Sequence, residues 1–476
     1  MQDKITAKKI TKNVFISITA QVISLLVSVV ANLIIPKFIG ELEYSHWQTY
    51  VLYFSFVSFL HFGLIDGMLL RYAQYDYNEI DKGILRSQFK ALLVFMVLLT
   101  ILTQFVAFTF LTGLARVIVA LLGIGIVTKN IFAYTSYTFQ MTNQITKYAY
   151  LVILQRLLFC IVIVILLGLG VNDFKWYCTA ELIGDFLATV VAMLLNPEMY
   201  FGKSLKFNEA MKEVKKNVFA GFFLMMATLS SLLLVNSAKM VAQWKWDELT
   251  FGKLSLAFSI TNLFLTFISA ISIVLFPSLK RLSKESLPTA YRKIRGSISH
   301  LLLIILLFYF PGCWLIELWL PKYQSSLVYL GVLLPMIVYS SKVNLLTNNY
   351  LKAYRKERIL LYVNLISLAV GFILFLISAY VFSSLNALLL CIVLTVTGNS
   401  IVSEIVVMKL TNISFVKDII IEIIMSAGFI ISVWLLQHWV ACAVYASLLL
   451  IYAIINWKQI AELLSRFQNR KKVELR

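Results

Sequence analysis

The feature that most constrains this 476-residue chain is its succession of long apolar runs separated by short polar segments. The first, "VFISITAQVISLLVSVVANLII", is long enough to cross hydrocarbon as a helix, which takes about 20 residues at 1.5 Å rise each. Comparable runs predict spans near residues 13–36, 44–66, 91–112, 117–139, 149–170, 176–196, 217–240, 252–276, 298–320, 327–350, 359–382, 386–408, 418–438 and 440–457. Only 14% of the residues are charged, against roughly 25% in a soluble domain, so there is too little polar surface to coat a water-facing particle. The expected fold is an all-α polytopic membrane protein of about fourteen spans.

The net charge of +19 is an orientation signal. With the amino terminus in the cytoplasm, the inner segments hold 32 of the 42 Lys and Arg, whereas the outer loops hold Lys37, Arg116, Lys175, Lys245 and Lys322. This is the positive-inside asymmetry. Trp47, Trp176, Trp244, Trp246, Trp314, Trp319, Trp434 and Trp439 fall at or near predicted outer ends, where indole rings favour the interface. Both termini are expected in the cytoplasm, and no nucleic-acid partner is expected. The basic start "MQDKITAKKITK" leads into a run too long for a signal peptide, so it is expected to remain as the first span.

The tetrapeptide "KNVF" occurs at Lys12–Phe15 and again at Lys216–Phe219, each time where a basic segment opens a span. At the same offset Asn32 matches Asn236. Farther on, "TKNIFAYTSY" aligns with "SKVNLLTNNY": Lys129 and Lys342 coincide, each followed eight positions later by a tyrosine, Tyr137 and Tyr350. Eight residues is just over two helical turns, so lysine and tyrosine share one face. A six-span duplication follows. The expected division is an N-terminal lobe over 1–204, a C-terminal lobe over 205–410, and two additional helices with a basic tail over 411–476. Six crossings return the chain to its starting side, so the halves are parallel repeats with a substrate site expected between them.

Charges at mid-bilayer cost about 3 kcal/mol on insertion scales and mark pathways or buried pairs. Lys129 and Lys342 lie near the middles of their spans, Arg156 in the inner third of the fifth, and Glu181 with Asp185 on one face of the sixth. The duplicated lysines read as the cationic lining of a cavity, because an ammonium offers three donors suited to phosphate. Glu181 and Asp185 read either as neutralising a neighbouring cation or as a coupling site. Lys239 and Lys253 are near enough to the outer interface to snorkel. Thr128, Asn130, Tyr134, Ser341, Asn344 and Asn348 supply nearby hydroxyls and amides.

Other chemistry is not expected. The chain has no P-loop, and its four histidines and five cysteines are scattered singly, without metal or disulfide spacing. No catalytic residue, metal or cofactor is expected, and the chain reads as a transporter.

The basic leader into "KNVFISITAQVISLLVSVVANLIIPKFIGELEYSHWQTY", with "HFGLIDGMLLRYAQ" at the end of span two and "SIVLFPSLKRLSKE" after span eight, resembles the oligosaccharide flippases of the multidrug/oligosaccharidyl-lipid/polysaccharide exporter superfamily. The resemblance implies alternating access between two lobes. It also implies movement of an undecaprenyl-pyrophosphate-linked oligosaccharide to the outer leaflet of a bacterial cytoplasmic membrane, for O-antigen or capsule synthesis. Lys129, Lys342 and Arg156 are the positions matching the idea of cavity cations. The other expected contacts are Tyr137, Tyr350, Asn32 and Asn236. Partners would be the lipid-linked substrate, membrane lipids and the polysaccharide polymerase with its synthesis proteins. The driving force is expected from the membrane potential, worth about 2.3 kcal/mol per charge per 100 mV, or from H+ or Na+ coupling. A drug or cation antiporter on the same scaffold is the alternative, and would be expected to carry more deep acids than deep bases.

Overall fold

The computed structural model describes Thr19 and residues 22–75, 77–280, 287–354 and 356–457. Among them every regular element is a helix. The first copy of "KNVF", the segment 281–286 and the basic tail from 458 lie outside the described residues.

The chain divides into two compact units, Met1–Ser255 and Leu256–Arg476. In the first, α1 (Val22–Phe38) carries a five-residue π-helical stretch, Val30–Ile34, that includes Asn32. Then come α2 (Glu41–Val57), α3 (Leu64–Tyr72), α4 (Lys82–Phe110), α5 (Gly113–Met141), α6 (Ile145–Gly168), α7 (Phe174–Leu195) and α8 (Phe207–Lys245), and α9 (Glu248–Lys280) begins here. Aspartates start two of these helices: Asp81 accepts from the Gly83 amide and Asp173 from the Lys175 amide, covering amides that have no helical partner. α4 presents a lipid-like face. Leu98, Ile101, Leu102 and Phe105 are all more than half exposed along it, which water would not tolerate as a continuous face and acyl chains do.

Four regular helices of the second unit are each long and apolar enough to span: Arg358–Val381 (α14), Leu385–Thr411 (α15), Val416–Leu435 (α16) and His438–Ile455 (α17). They follow two bent pairs. α10 (Leu287–Leu307) meets α11 (Tyr309–Trp319) at 41°, and α12 (Pro321–Leu333) meets α13 (Met336–Leu351) at 49°. Pro335 stands at the second bend, where its missing N–H and its ring disfavour a continuous helix.

By length and composition the described residues hold ten spanning helices, or twelve if each bent pair is one span. Every one of the fourteen predicted regions meets a helix. The first two do so only as shorter pieces, Val22–Phe38 and Glu41–Val57. The predicted second span is interrupted after Val57 by six residues in which Phe62 (φ 50°) and Gly63 (φ 85°) are left-handed. The Asn130 side-chain amide, on α5, donates to the Val57 carbonyl at 3.0 Å and so meets an acceptor at the end of α2 that hydrocarbon could not satisfy.

The helix that opens the expected second lobe, α8, packs inside the first compact unit. The junction between units falls at 255/256 within α9, whereas the repeat places its boundary at 204/205.

Candidate functional site

Three arrangements gather the polar side chains of the helices. In the first unit the Lys129 ammonium (α5) lies 3.4 Å from Glu181 and 3.5 Å from Asp185, both on α7. Four residues apart, those acids stand one turn above each other, so one lysine meets both. Asp185 is fully buried and also accepts from the Gln155 amide at 3.0 Å. Arg156, beside Gln155 on α6, adds its field to the same group. Two cations therefore face two carboxylates. Lys129 completes its surroundings over the Phe54 ring, 5.0 Å from the centroid, and Phe54 stacks on Tyr50. Its side chain retains 24% exposure, so the site is reachable.

The second arrangement is the crossing of α3 and α8. Gly63 and Gly67, four apart, lie against Gly221: a Cβ at Gly67 would overlap the Asn217 backbone, and one at Gly221 would overlap the Gly63 carbonyl. Small residues at this spacing let two backbones touch, as helices in lipid do. One turn beyond, the Arg71 guanidinium donates to Glu213 at 2.8 Å and to the Asn217 carboxamide at 2.5 Å. At the break above the crossing, His61 Nδ1 accepts the Gly63 amide at 3.0 Å, so the neutral ring carries its proton on Nε2, 3.8 Å from Asp66. Elsewhere in this unit, the Tyr53 hydroxyl on α2 donates to Gln243 near the end of α8, and His46 on α2 meets Glu248 at the start of α9. There a cavity of about 330 Å³ is walled by Leu114, Ile118, Val119 and Phe251, with Tyr53, Gln243 and Glu248 as its polar edge.

The third lies in the second unit. Lys342 (α13) donates to Glu422 (α16) at 2.5 Å and to Glu404 (α15) at 3.3 Å. Arg295 (α10) forms a fork on Glu404 at 3.0 and 3.1 Å, and reaches Glu422 at 3.3 Å and Asp418 at 3.5 Å. Lys342, Glu404, Glu422 and Arg295 are at most 1% exposed. A charge set of this kind persists in a low-dielectric interior only when paired. The Lys342 ammonium, expected from the sequence to line a cavity, is in this conformation enclosed and bonded to two glutamates.

The remaining predicted residues separate by environment. Tyr137 is half-buried, with Asp66 and Tyr148 nearby. Asn236 is half-buried and donates to the Ser55 hydroxyl at 3.2 Å, and Asn32 is half-buried in the π-helical stretch. Tyr350 is enclosed, edge-on to Tyr291 at 4.7 Å. Of the two expected snorkellers, Lys253 pairs with Glu41 at 3.8 Å, whereas Lys239 is 7% exposed and so is buried within the bundle.

The sequence of α1 to α9 matches the family model described as "Polysaccharide biosynthesis protein" over residues 10–283. The chain belongs to the polysaccharide biosynthesis protein family. The family's chain here is similar in fold to solved transporters. A lipid II flippase, MurJ, in an inward closed conformation matches with TM-score 0.65 at 11% identity, covering 94% of this chain and 100% of that one. An inward-facing multidrug resistance MATE transporter of the MOP superfamily matches with TM-score 0.63 at 14% identity, covering 82% and 96%. An outward-facing MATE transporter matches with TM-score 0.58 at 15% identity, covering 84% and 96%. No curated protein sequence matches. Family and fold agree with the resemblance drawn from the sequence.

The sequence reading named Glu181 and Asp185, which hold Lys129, but missed the acids that hold Lys342 and Arg295. Glu404 lies within an apolar run, "SIVSEIVVM", and Asp418 and Glu422 are four apart at the start of the next span. Each was a visible intramembrane charge, for which a partner should be sought by default. The glycines of "GLIDG" were likewise visible as a small-xxx-small pair.

Proposed function

We propose that the protein is a flippase that carries an undecaprenyl-pyrophosphate-linked oligosaccharide from the inner to the outer leaflet of a bacterial cytoplasmic membrane, for surface polysaccharide such as O-antigen or capsule. The observation that carries this reading is the polysaccharide-synthesis family match over residues 10–283. The fold likeness to a lipid II flippase supports it, since that likeness extends over 94% of this chain.

On this reading the substrate contacts are Lys129 and Arg156, with Tyr137, Asn32 and Asn236 available to sugar or phosphate oxygens. Glu181 and Asp185 hold Lys129 while the site is empty, and an incoming pyrophosphate takes their place as its counter-ion. Exchange of one anion for another keeps the buried ammonium paired throughout. Lys342 and Tyr350 are positioned as internal braces of the second unit. The repeat supports two six-helix lobes, 1–204 and 205–410, moving about one another, with 411–476 outside the repeat and both termini cytoplasmic. Inward-to-outward movement of an anion is then driven by the membrane potential, about 2.3 kcal/mol per charge per 100 mV, or by H+ or Na+.

A cation or drug antiporter is the second reading. It is favoured by the excess of acids in the second unit's ion-pair cluster, three carboxylates against Arg295 and Lys342. Mass spectrometry of polyprenyl-linked lipids after depletion of the protein separates the two. Accumulation of a pyrophosphate-linked oligosaccharide supports the flippase and identifies its cargo. An unchanged lipid pool excludes it and leaves the antiporter.

A further inference from the structure

We propose that His300 is a proton-binding site, built where α10, α16 and α17 meet and separate from the substrate contacts proposed above. His300 is 9% exposed, and its Nδ1 contacts the Gly296 carbonyl one turn earlier on α10. A carbonyl can only accept, so Nδ1 carries the hydrogen and the neutral ring presents a bare lone pair at Nε2. That Nε2 is buried and meets no donor.

The ring borders a cavity of about 10 Å³, also lined by Arg295, Ser299, Asp418, Glu422, Tyr452 and Asn456. Such a volume holds about one water and nothing larger, so a sugar, a lipid chain or a drug is excluded as its ligand. A proton, brought by that water, is not.

The surrounding charge favours it. His300 shares its own helix with Arg295; α16 contributes Asp418 and Glu422; α17 contributes Tyr452, whose ring centre lies 5.1 Å from the imidazole. Beyond Arg295 stand Glu404 on α15 and Lys342 on α13. With the acids ionised, three carboxylates face two fixed cations, and the group carries one unit of excess negative charge. A proton accepted by the Nε2 lone pair supplies the missing positive charge without breaking an ion pair. Asp418, 39% exposed, is the least enclosed member of the group.

Because Asp418 and Glu422 belong to α16 while His300 belongs to α10, protonation tightens the hold of the first additional helix on the preceding bundle. The site thus links proton binding to a helix that lies outside the six-span repeat.

The test is imidazole ¹⁵N NMR on the full-length protein in lipid nanodiscs, with His300→Gln assigning the resonance among the chain's four histidines. As the pH is lowered across the range in which the protein stays folded, the expected result is a neutral Nδ1–H ring converting to imidazolium. Asp418→Asn, a change at the partly exposed edge, should lower the imidazolium fraction at a fixed intermediate pH by several-fold. If His300→Gln fails to fold, replacing His46, His61 and His438 together assigns the remaining signal. A ring that stays neutral over the whole range, or that carries its hydrogen on Nε2 when neutral, overturns the proposal. So does a titration that Asp418→Asn leaves unchanged, or a signal that answers to Na+ in place of protons.

Discussion

Replacing Gly67 by alanine tests whether the α3–α8 crossing sets the conformation of the first unit. A Cβ built there stands 2.5 Å from the carbonyl carbon and 2.9 Å from the Cα of Asn217, where ordinary contact begins at 3.4 Å. Both obstacles are backbone, so no rotamer change relieves them and the helices must part by roughly 1 Å. Overpacking of this kind costs about 1–3 kcal/mol. If the protein exchanges between this closed crossing and an arrangement with α3 and α8 apart, the whole cost falls on the closed form and shifts the equilibrium about 5- to 150-fold. Spin labels at Tyr75, just beyond α3, and at Met211, near the start of α8, are both placed on exposed side chains. Pulsed electron-paramagnetic-resonance distances between them should show a short population in the parent protein and a longer one in Gly67→Ala. Gly221→Ala, which meets the Gly63 carbonyl, should act in the same direction. A folded Gly67→Ala protein with the parental distance distribution would refute the assignment of this crossing as the closing contact.

The two repeated lysines should respond differently to the same substitution. Lys342→Gln leaves Glu404 and Glu422 sharing Arg295 alone, and breaking a buried pair costs about 3–5 kcal/mol; thermal unfolding in detergent should show a large loss, relieved in part by adding Glu422→Gln. Lys129→Gln, at a partly exposed site, should leave the protein inserted while surface polymer falls, since one charge-assisted contact to a phosphate is worth about 1.5–3 kcal/mol, or roughly 10- to 150-fold in affinity; unchanged polymer would remove Lys129 from the substrate site. Acidification should loosen the segment after α7. Hydrogen bonds from Lys82 and Tyr77 hold the Glu198 carboxyl below the ordinary range, and the Thr250 hydroxyl and amide do the same for Asp247. A depressed carboxyl stabilises above its unfolded pKa and loses that contribution as pH falls through its folded value. A spin label at Phe201 should therefore gain mobility as pH falls below the usual carboxylate range, and Glu198→Gln should show that mobility already at neutral pH.

The helices were legible because hydrocarbon leaves a chain few choices: an apolar run of this length must satisfy its own backbone, and a helix does so locally. What periodicity could not give was the interruption after Val57. Its cause is distant in sequence, for the left-handed Gly63 is needed where α8 passes at backbone distance, and Asn130 on α5 supplies the donor that makes the break tolerable. A run read one residue at a time has no term for either partner. The same limit applies to Glu404 and Glu422. Each was visible as an isolated acid, but only the packing of α10, α13, α15 and α16 brings them onto one lysine and one arginine.

The matching stretches of sequence were a better guide to charge pairing than to role. Lys129 and Lys342 align in two similar stretches of sequence, and each meets two carboxylates, yet their surroundings differ where it counts. Lys129 draws both acids from a single neighbouring helix, keeps 24% of its side chain exposed and has Arg156 as a second cation nearby. Lys342 draws its acids from two different helices and is wholly enclosed. An ammonium held by one helix can exchange its counter-ion without moving others, whereas one that ties two helices together cannot let go without separating them. Matching position in two similar stretches of sequence therefore predicts that a charge will be paired. It leaves the choice between binding and bracing to how many elements supply the partners.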